Sequence, residues 1–398
     1  MVTFKDLGIC EQLNRITVSL GYKKPTKIQI FTIPHALNKK DIIGYAQTGS
    51  GKTIAYLLPI VQNLIIRKSI FNSLIIVPAR ELAFQIASHF EAFGNIFGIR
   101  IAVVVGGINA GPQKALIFMN PHILISTPGR LVDHLAKTIK LKLDKISIFV
   151  LDEADRLLHL DFKKEFLIIL SELSRTKQSF LFSATMTSKI EKLQKNFMKA
   201  PVKIEIHQKY KAVKTLIQNY IFIPRKFKEI YFVFLCNEFI GSSILAFVDT
   251  QKYAEKITLL VKLLGFKGGC IHGGLKQSKR FENLHKFKLG EIKLLIATDL
   301  AARGLDIPCV DLVINFDLPS FAKEYIHRVG RTARAGNSGR AINLITQYDV
   351  SSCQKIESLI GEKFIELKYN PKFVLEIEKT VLETKKKVDS FLRNLTND

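Results

Sequence analysis

Asp41-Ile42-Ile43-Gly44-Tyr45 runs into Ala46-Gln47-Thr48-Gly49-Ser50-Gly51-Lys52-Thr53, and this stretch sets the fold. An apolar run, then small residues, then Gly51-Lys52-Thr53 has the order strand, phosphate loop, helix. Small residues let backbone N–H groups turn inward around phosphates. Lys52 supplies a point charge, and the Thr53 hydroxyl is placed to hold a magnesium ion. Ala46 stands where the commonest pattern has Gly, and a chance glycine-rich turn is the other reading of this stretch alone.

Short β-branched runs recur downstream, each followed by helical spacing: Leu74 to Val77, Ile101 to Val105, Ile123 to Ser126, Ile148 to Leu151 and Phe180 to Ser183. A second series follows at Ile244 to Val248, Leu294 to Ala297, Leu312 to Asn315 and Ala341 to Ile345. Strands alternating with helices predict the α/β class, with parallel sheets. Two series predict two tandem domains. Residues 206–216 are basic, polar and weakly periodic, as suits a short linker. The expected divisions are therefore 1–32, 33–205, the linker, 217–370, and a basic C-terminal tail over 371–398. In that last segment a solvated tail is weighed against a short amphipathic helix and favoured over it.

Ile148-Phe149-Val150-Leu151 delivers Asp152-Glu153-Ala154-Asp155 at the end of a buried strand, where a parallel sheet places its ligand. Asp152 is the candidate to hold magnesium through water, and Glu153 to orient and deprotonate the attacking water. An acidic helix start is the structural alternative. Phosphoryl transfer also needs cations on the developing charge. The run His327-Arg328-Val329-Gly330-Arg331-Thr332-Ala333-Arg334 offers them, with Arg331 and Arg334 three apart on one helical face and His327 opening the run. Surface arginines paired with acids are the competing reading.

Charge points the same way. The chain of 398 residues carries 59 Lys plus Arg against 35 Asp plus Glu, a net charge of +24. The excess is +14 over residues 1–210 and +10 over the remainder, so both halves share it. A polyanion is the expected partner, nucleic acid ahead of an anionic membrane, with a solvated Lys-rich surface as the alternative. Five scattered cysteines without a CxxC pair suggest neither zinc nor disulfides. The N-terminus lacks a signal-like apolar run, and no stretch of about 18 apolar residues occurs. A soluble protein of a reducing intracellular compartment is expected.

These motifs resemble, in order over roughly residues 4–345, the DEAD-box ATP-dependent RNA helicases. The resemblance implies two RecA-like domains that bind ATP and single-stranded RNA. Phe4, Gly21-Tyr22, Lys24 and Pro25-Thr26-Lys27-Ile28-Gln29 are similar to the family's adenine-reading segment, which implies that Gln29 bonds the adenine edge with an aromatic packed near it. Pro78-Ala79-Arg80, Gly106-Gly107 and Thr127-Pro128-Gly129-Arg130 resemble the RNA contacts of the first domain, and Ser183-Ala184-Thr185 the segment coupling hydrolysis to strand separation. In the second domain Ala246-Phe247-Val248-Asp249-Thr250, His272-Gly273 with Gln277 and Arg280, and Ala297-Thr298-Asp299 followed by residues 301–306 match the remaining motifs. The resemblance places Asp306 on the ATP ribose, and Gly273, Arg280 and Thr298 along the RNA. Small residues, hydroxyls and single arginines suit phosphate gripping more than base reading, so RNA binding with little sequence preference is expected.

Three positions depart from the family pattern: Ala79 for Thr, Lys279 for an acidic residue, and Ala333 for Gly. The variable positions resemble the nuclear subgroup that processes pre-ribosomal RNA for the small subunit. That implies a monomeric helicase using ATP and Mg2+, working with pre-ribosomal particle proteins in the nucleus or nucleolus, away from membranes. An ATP-gated RNA clamp uses the same residues and is the alternative function.

Overall fold

The computed structural model describes residues 2–46, 49–138, 141–159, 162–184, 188–195, 197–206, 216–299, 307–319, 321–332 and 339–397. The chain divides into two compact units, Met1–His207 and Gln208–Asp398.

The first unit is built on strands β1 (Ile42–Tyr45), β2 (Ser73–Ile76), β3 (Ile101–Val104), β4 (Ile123–Ser126), β5 (Ile148–Leu151), β6 (Gln178–Ser183) and β7 (Val202–Glu205). They form one parallel sheet in the order β3-β4-β2-β5-β6-β1-β7. Alternate side chains enter different cores. Ile42, Ile75, Ile148 and Val150 join one cluster, whereas Ile43, Leu74, Ile76, Phe149 and Leu151 join the other. A sheet covered on both faces needs every strand position apolar, which is why these strands read as unbroken hydrophobic runs. The covering helices include α1 (Glu11–Ser19), α2 (Lys27–Leu37), α3 (Lys52–Ile66), α4 (Arg80–Gly94), α5 (Ala110–Phe118), α6 (Pro128–Lys137), α7 (Ala154–His159), α8 (Lys163–Glu172) and α9 (Ser188–Gln194). The N-terminal segment belongs to this unit's core through Phe4, Leu7, Leu13 and Ile28.

The second unit repeats the plan with β8 (Leu216–Phe222), β9 (Ile244–Phe247), β10 (Gly268–Ile271), β11 (Leu294–Ala297), β12 (Leu312–Asn315), β13 (Gly339–Ile345) and β14 (Ile365–Glu366). Their order, β10-β11-β9-β12-β13-β8-β14, is the first order shifted by seven strands. The expected α/β class with two parallel sheets is what the structure has. Strand β10 escapes a residue-by-residue reading because Gly268-Gly269 looks like a turn, yet burial between helices makes it a strand. Of the expected linker, residues 207–215 lie outside the described residues, and Leu216 already opens β8.

The C-terminal segment corrects an expectation. In place of a solvated tail, Pro371–Asn397 is a 27-residue helix packed on α10 (Lys228–Glu238) and α11 (Gln251–Leu263). Val374, Val381 and Val388 recur every seven residues and are buried on its inner face. Burial of the three side chains contributes about 1.5–3 kcal/mol each, and this outweighs the fraying expected of a basic terminus. Lys385 Nζ to Glu229 Oε2 at 2.6 Å and Lys256 Nζ to Asp389 Oδ1 at 2.7 Å hold its flanks.

Candidate nucleotide site and nucleic-acid interface

In a parallel sheet every strand ends on the same edge, and loops leaving that edge meet one another. The strand order of the first unit therefore sorts the motifs by location. At one end the loops after β2, β3 and β4 carry Pro78-Ala79-Arg80, Gly106-Gly107 and Thr127 to Arg130. Towards the other end β1 leads into the phosphate loop. Between them β5 delivers Asp152-Glu153 and β6 delivers Ser183-Ala184.

The phosphate loop needs its glycines. Gly49 and Gly51 have φ of +82° and +92°, in the left-handed region that a Cβ disfavours. A Cβ on Gly51 would also lie 2.5 Å from Gln29 Nε2. Gln47 and Thr48 lie outside the described residues. Lys52 opens α3, is buried, and donates from Nζ to the Ala46 carbonyl at 2.7 Å. The Ala46 N–H in turn donates to the Ser183 carbonyl at 3.1 Å, tying the loop to the segment expected to couple hydrolysis to RNA. Ser50 Oγ is buried without a hydrogen-bond partner among the described residues. Such an orphan in a loop of inward-turning amides suits an anionic phosphate ligand.

Asp152 lies 4% exposed at the end of β5. Its Oδ2 accepts from the Tyr56 hydroxyl at 2.9 Å and its Oδ1 from the Glu153 N–H at 2.9 Å. Burial pushes its carboxyl up to about 6 against the opposing pull of Lys52, so charging it here is costly without a further cation. Tyr56 stands one turn after Thr53 on α3, so the helix start that carries one candidate metal residue also supplies the phenol that bonds the other. A hydroxyl and a carboxylate short of positive charge are hard oxygen donors that fit magnesium, an ion that takes few protein ligands and completes its shell with water and phosphate oxygens. Glu153 has φ +51°, rare for a side-chain-bearing residue and a form of strain that collects at functional sites. Its Oε2 accepts from Arg156 Nη1 at 3.2 Å.

The adenine-reading segment is anchored to this loop. Gln29 is buried, its Oε1 accepts the Thr26 N–H at 2.8 Å, and its Nε2 donates to the Gly51 carbonyl at 3.1 Å. One N–H and one lone pair remain, the pair a base edge requires. Phe4 corrects an expectation: it is 1% exposed within the core, covered by protein, and presents no open face to a base. The half-buried aromatic of the segment is Tyr22, whose ring centroid is 5.8 Å from that of Phe93, and Lys24 is exposed.

The expected RNA contacts of the first unit come together. Gly107 has φ +72°, and a Cβ there would sit 1.6 Å from Arg80 Nη1, so the arginine occupies the space that only glycine leaves. Arg130 Nη2 donates to the Ile108 carbonyl at 3.0 Å, and the Thr127 N–H to the Val104 carbonyl at 3.2 Å. Pro78 is buried and Gly129 half-buried.

In the second unit Gly273 follows β10 and Thr298 follows β11, adjacent strands at the corresponding end of the sheet, with Arg280 on α12 (Gln277–Lys288). Lys279 does not add a free charge: its Nζ lies 3.0 Å from Glu282 Oε2, and this bond and one from Lys286 hold the Glu282 carboxyl down to about 2. Along the helix Ala322–Val329 and just after it, His327 is half-buried and Arg331 is 4% exposed, its carbonyl accepting the Val310 N–H at 3.0 Å. Thr185, Asp306 and Arg334 lie outside the described residues.

Two family models match this chain, the DEAD/DEAH box helicase over residues 26–193 and the helicase conserved C-terminal domain over 225–336. The human protein named "Probable ATP-dependent RNA helicase DDX47" is 51% identical over 361 residues, covering 91% of this chain and 79% of its own. The chain belongs to the DEAD/DEAH box helicase family. The ATP-dependent rRNA helicase rrp3 of Schizosaccharomyces pombe is 46% identical over 96% of this helicase and 83% of its own length. Among solved structures, S. cerevisiae Dbp5 bound to RNA and ADP BeF3 matches with a TM-score of 0.83 at 27% identity, over 96% of this chain and 99% of that one. Mss116p bound to ssRNA and AMP-PNP matches with a TM-score of 0.85 at 28% identity, over 96% and 82%. The two parallel sheets are the tandem RecA-like domains of these helicases.

Two residues of this helicase lie outside the sequence candidates. Tyr56 looks like one more apolar position of α3, and only its hydroxyl reaching Asp152, 96 residues away, reveals it. Arg328 escapes a sequence reading because the i, i+3 spacing points to Arg331 and Arg334. It is 1% exposed, donates through Nε and Nη2 to both oxygens of Asp299 at 2.7 and 2.6 Å, and stacks 4.9 Å from the Phe247 ring centroid. Its Nη1 donates to Asn315 Oδ1 at 3.0 Å and to the Asp317 carbonyl.

Proposed function

We propose that this ATP-dependent RNA helicase opens short duplexes in pre-ribosomal RNA during assembly of the small subunit, in the nucleolus. One observation carries the reading. A single sheet edge orders the phosphate loop, Asp152-Glu153, Ser183 and the phosphate-gripping Arg80, Gly107 and Arg130, so hydrolysis and RNA contact share one rigid frame. Relatives named as rRNA helicases support the choice of RNA.

Residues 46–53 cradle the triphosphate with Lys52 as the point charge, and Thr53 and Asp152 hold Mg2+. When bound, the ion neutralises charge on the phosphoryl oxygens. Glu153 orients the attacking water, and Arg331 and Arg334 are the cations we assign to the developing charge. RNA held by small residues, amides and single arginines is gripped by its backbone with little regard to sequence. The helicase acts as a monomer together with pre-ribosomal particle proteins.

Crosslinking of the Glu153→Gln form, which stalls on its substrate, followed by sequencing of the bound RNA tests the assignment. Enrichment of ribosomal precursors is expected, and enrichment on messenger RNA would remove it. Arg331→Ala is expected to abolish RNA-stimulated ATP turnover while ATP binding persists. Retained turnover would overturn that arginine's role.

A further inference from the structure

The opposite edge of the first sheet, where strands begin, carries a feature that the nucleotide and RNA motifs do not use. Five strands that are neighbours in the sheet, β2, β5, β6, β1 and β7, are entered by connections that line one groove of about 1740 Å³. Each connection brings cations to it. Arg67 and Lys68 precede β2, Lys145 precedes β5, Arg175 and Lys177 precede β6, Lys39 and Lys40 precede β1, and Lys199 precedes β7.

Three carboxylates share the groove, and two of them are already committed. Asp6 accepts from the Thr3 N–H and hydroxyl at 2.8 Å each. Asp41 accepts the backbone N–H groups of Ser179 and Lys199, both at 2.8 Å. None of the eight cations forms an ion pair with a described residue. Burial holds the Lys177 ammonium below its usual range, with repulsion from Lys199 adding to this against the pull of Asp41. Like charges left unpaired around a concavity attract a polyanion, and its phosphates relieve their mutual repulsion.

The shape of the lining narrows the ligand. Five adjacent strands span four intervals, about 19 Å at the usual strand spacing. Over that length a B-form duplex, with one phosphate per about 3.4 Å of each strand, presents about six phosphates on each strand, and the more compact A-form duplex of RNA about seven. Single strands are typically held by stacking bases on aromatic rings, and among the described residues no aromatic side chain lines this groove. We propose that the groove is a second nucleic-acid site, which binds the phosphate backbone of duplex RNA on the edge opposite the nucleotide and single-strand motifs. It would hold a folded flank of the substrate while the other edge works on the strand being released.

The test uses the full chain without nucleotide and a short blunt RNA duplex, followed by fluorescence anisotropy over a range of salt. Replacement of Lys40, Arg67, Lys68 and Lys145 together by Gln is expected to weaken duplex binding by at least about tenfold. The slope of log affinity against log salt should fall by about 0.9 for each phosphate that is no longer neutralised. ATP turnover stimulated by a short single strand should stay at the wild-type level, and Arg at Lys40, Lys68 and Lys145 should preserve duplex binding. If the quadruple variant fails to fold, Lys68→Glu and Lys145→Glu singly give the same readout. Unchanged duplex affinity and slope would overturn the proposal. So would displacement of the duplex by polyglutamate at equal charge as effectively as by unlabelled duplex, which would assign the groove to an acidic protein segment. Binding without nucleotide does not pass through Lys52 or Asp152, so this site and the helicase reading can each fail alone.

Discussion

The two units share one strand order, yet the carboxylates at their strand ends are held in two ways: burial pushes up Asp152 and Asp249, whereas the half-buried Asp299 and Asp317 are paired with protein cations. In the first, Asp152 after β5 is held by a phenol and a backbone N–H, both neutral, and burial pushes it up to about 6. In the second, Asp317 after the corresponding strand β12 accepts from Lys228 Nζ at 2.8 Å, and Asp299 after β11 accepts both arms of Arg328. A carboxylate already matched by a protein cation has little to offer a metal. One whose hydrogen bonds come only from neutral groups, with Lys52 acting from beyond ion-pair distance, favours the arrival of Mg2+, and that binding offsets its desolvation. Chemistry on a repeated scaffold therefore depends on which strand-end carboxylate is left without a paired cation beside a phosphate loop, and among the described residues only Asp152 has both.

The largest effects fall on the site that lacks compensation. Lys52→Ala removes the point charge aimed at the phosphates, and steady-state phosphate release at saturating single-stranded RNA is expected to fall on the order of a thousandfold. Turnover within tenfold of wild type would mean that the loop amides alone suffice.

Arg328→Ala tests the compensated side. It leaves Asp299 without its cation and strips Asn315 and the Asp317 carbonyl of a donor, so the second unit is expected to lose about 3–5 kcal/mol in denaturant unfolding. Arg328→Lys should recover only part of this, because an ammonium cannot reproduce the fork to both oxygens. A loss confined to turnover, with stability intact, would make Arg328 a functional residue and weaken the contrast between the units.

Much of this is legible in the sequence, for physical reasons. The covered sheets announce themselves as apolar runs, and the strands that end at the phosphate loop and at Asp152 are followed by residue types that suit phosphate and metal, so Lys52 and Asp152 follow from local sequence, whereas Arg80 and Gly107 are marked by the family resemblance. What stays hidden depends on tertiary neighbours. Phe4 and Tyr56 have the same apolar look, and folding sends one into the core and places the hydroxyl of the other on a carboxylate. Arg328 differs from Arg331 only by where the chain turns. The Val374, Val381 and Val388 seam is visible as a seven-residue repeat, but its partner helices are not, so basic composition outweighs it.

Asp152→Asn sharpens the comparison through stability. The carboxyl titrates near 6 in the folded chain and at its ordinary 3.8 when unfolded, so between these values the folded state binds more protons. Stability therefore falls as pH rises from about 4 to about 6 and is flat above, by about 3 kcal/mol for this group. Asp152→Asn should abolish that part of the slope and raise apo stability at pH 7.5 by about 1–3 kcal/mol, while ATP turnover is lost. Asp249, also pushed up to about 6, stays in place and leaves a residual slope as an internal control. A variant less stable than wild type at pH 7.5 would mean that the carboxylate is compensated after all.

Tyr56→Phe carries the smallest expected effect and probes the dipole itself. The ring is wholly buried and Phe preserves its packing against Phe90 and Phe182, so folding should be nearly unchanged. What disappears is the hydroxyl donating to Asp152 Oδ2, a bond that favours the charged carboxylate. Its loss, about 0.5–1.5 kcal/mol, raises the Asp152 pKa by up to about one unit. The acid limb of the turnover profile should move to higher pH by the same amount, giving a loss of about two- to sixfold near pH 6 and little change at pH 8. A uniform loss at every pH would point to misplacement of Thr53 or the phosphate loop, since altered packing lowers the rate without moving the limb. An unshifted, unchanged profile would mean that the Glu153 N–H alone keeps the carboxylate ready for its cation.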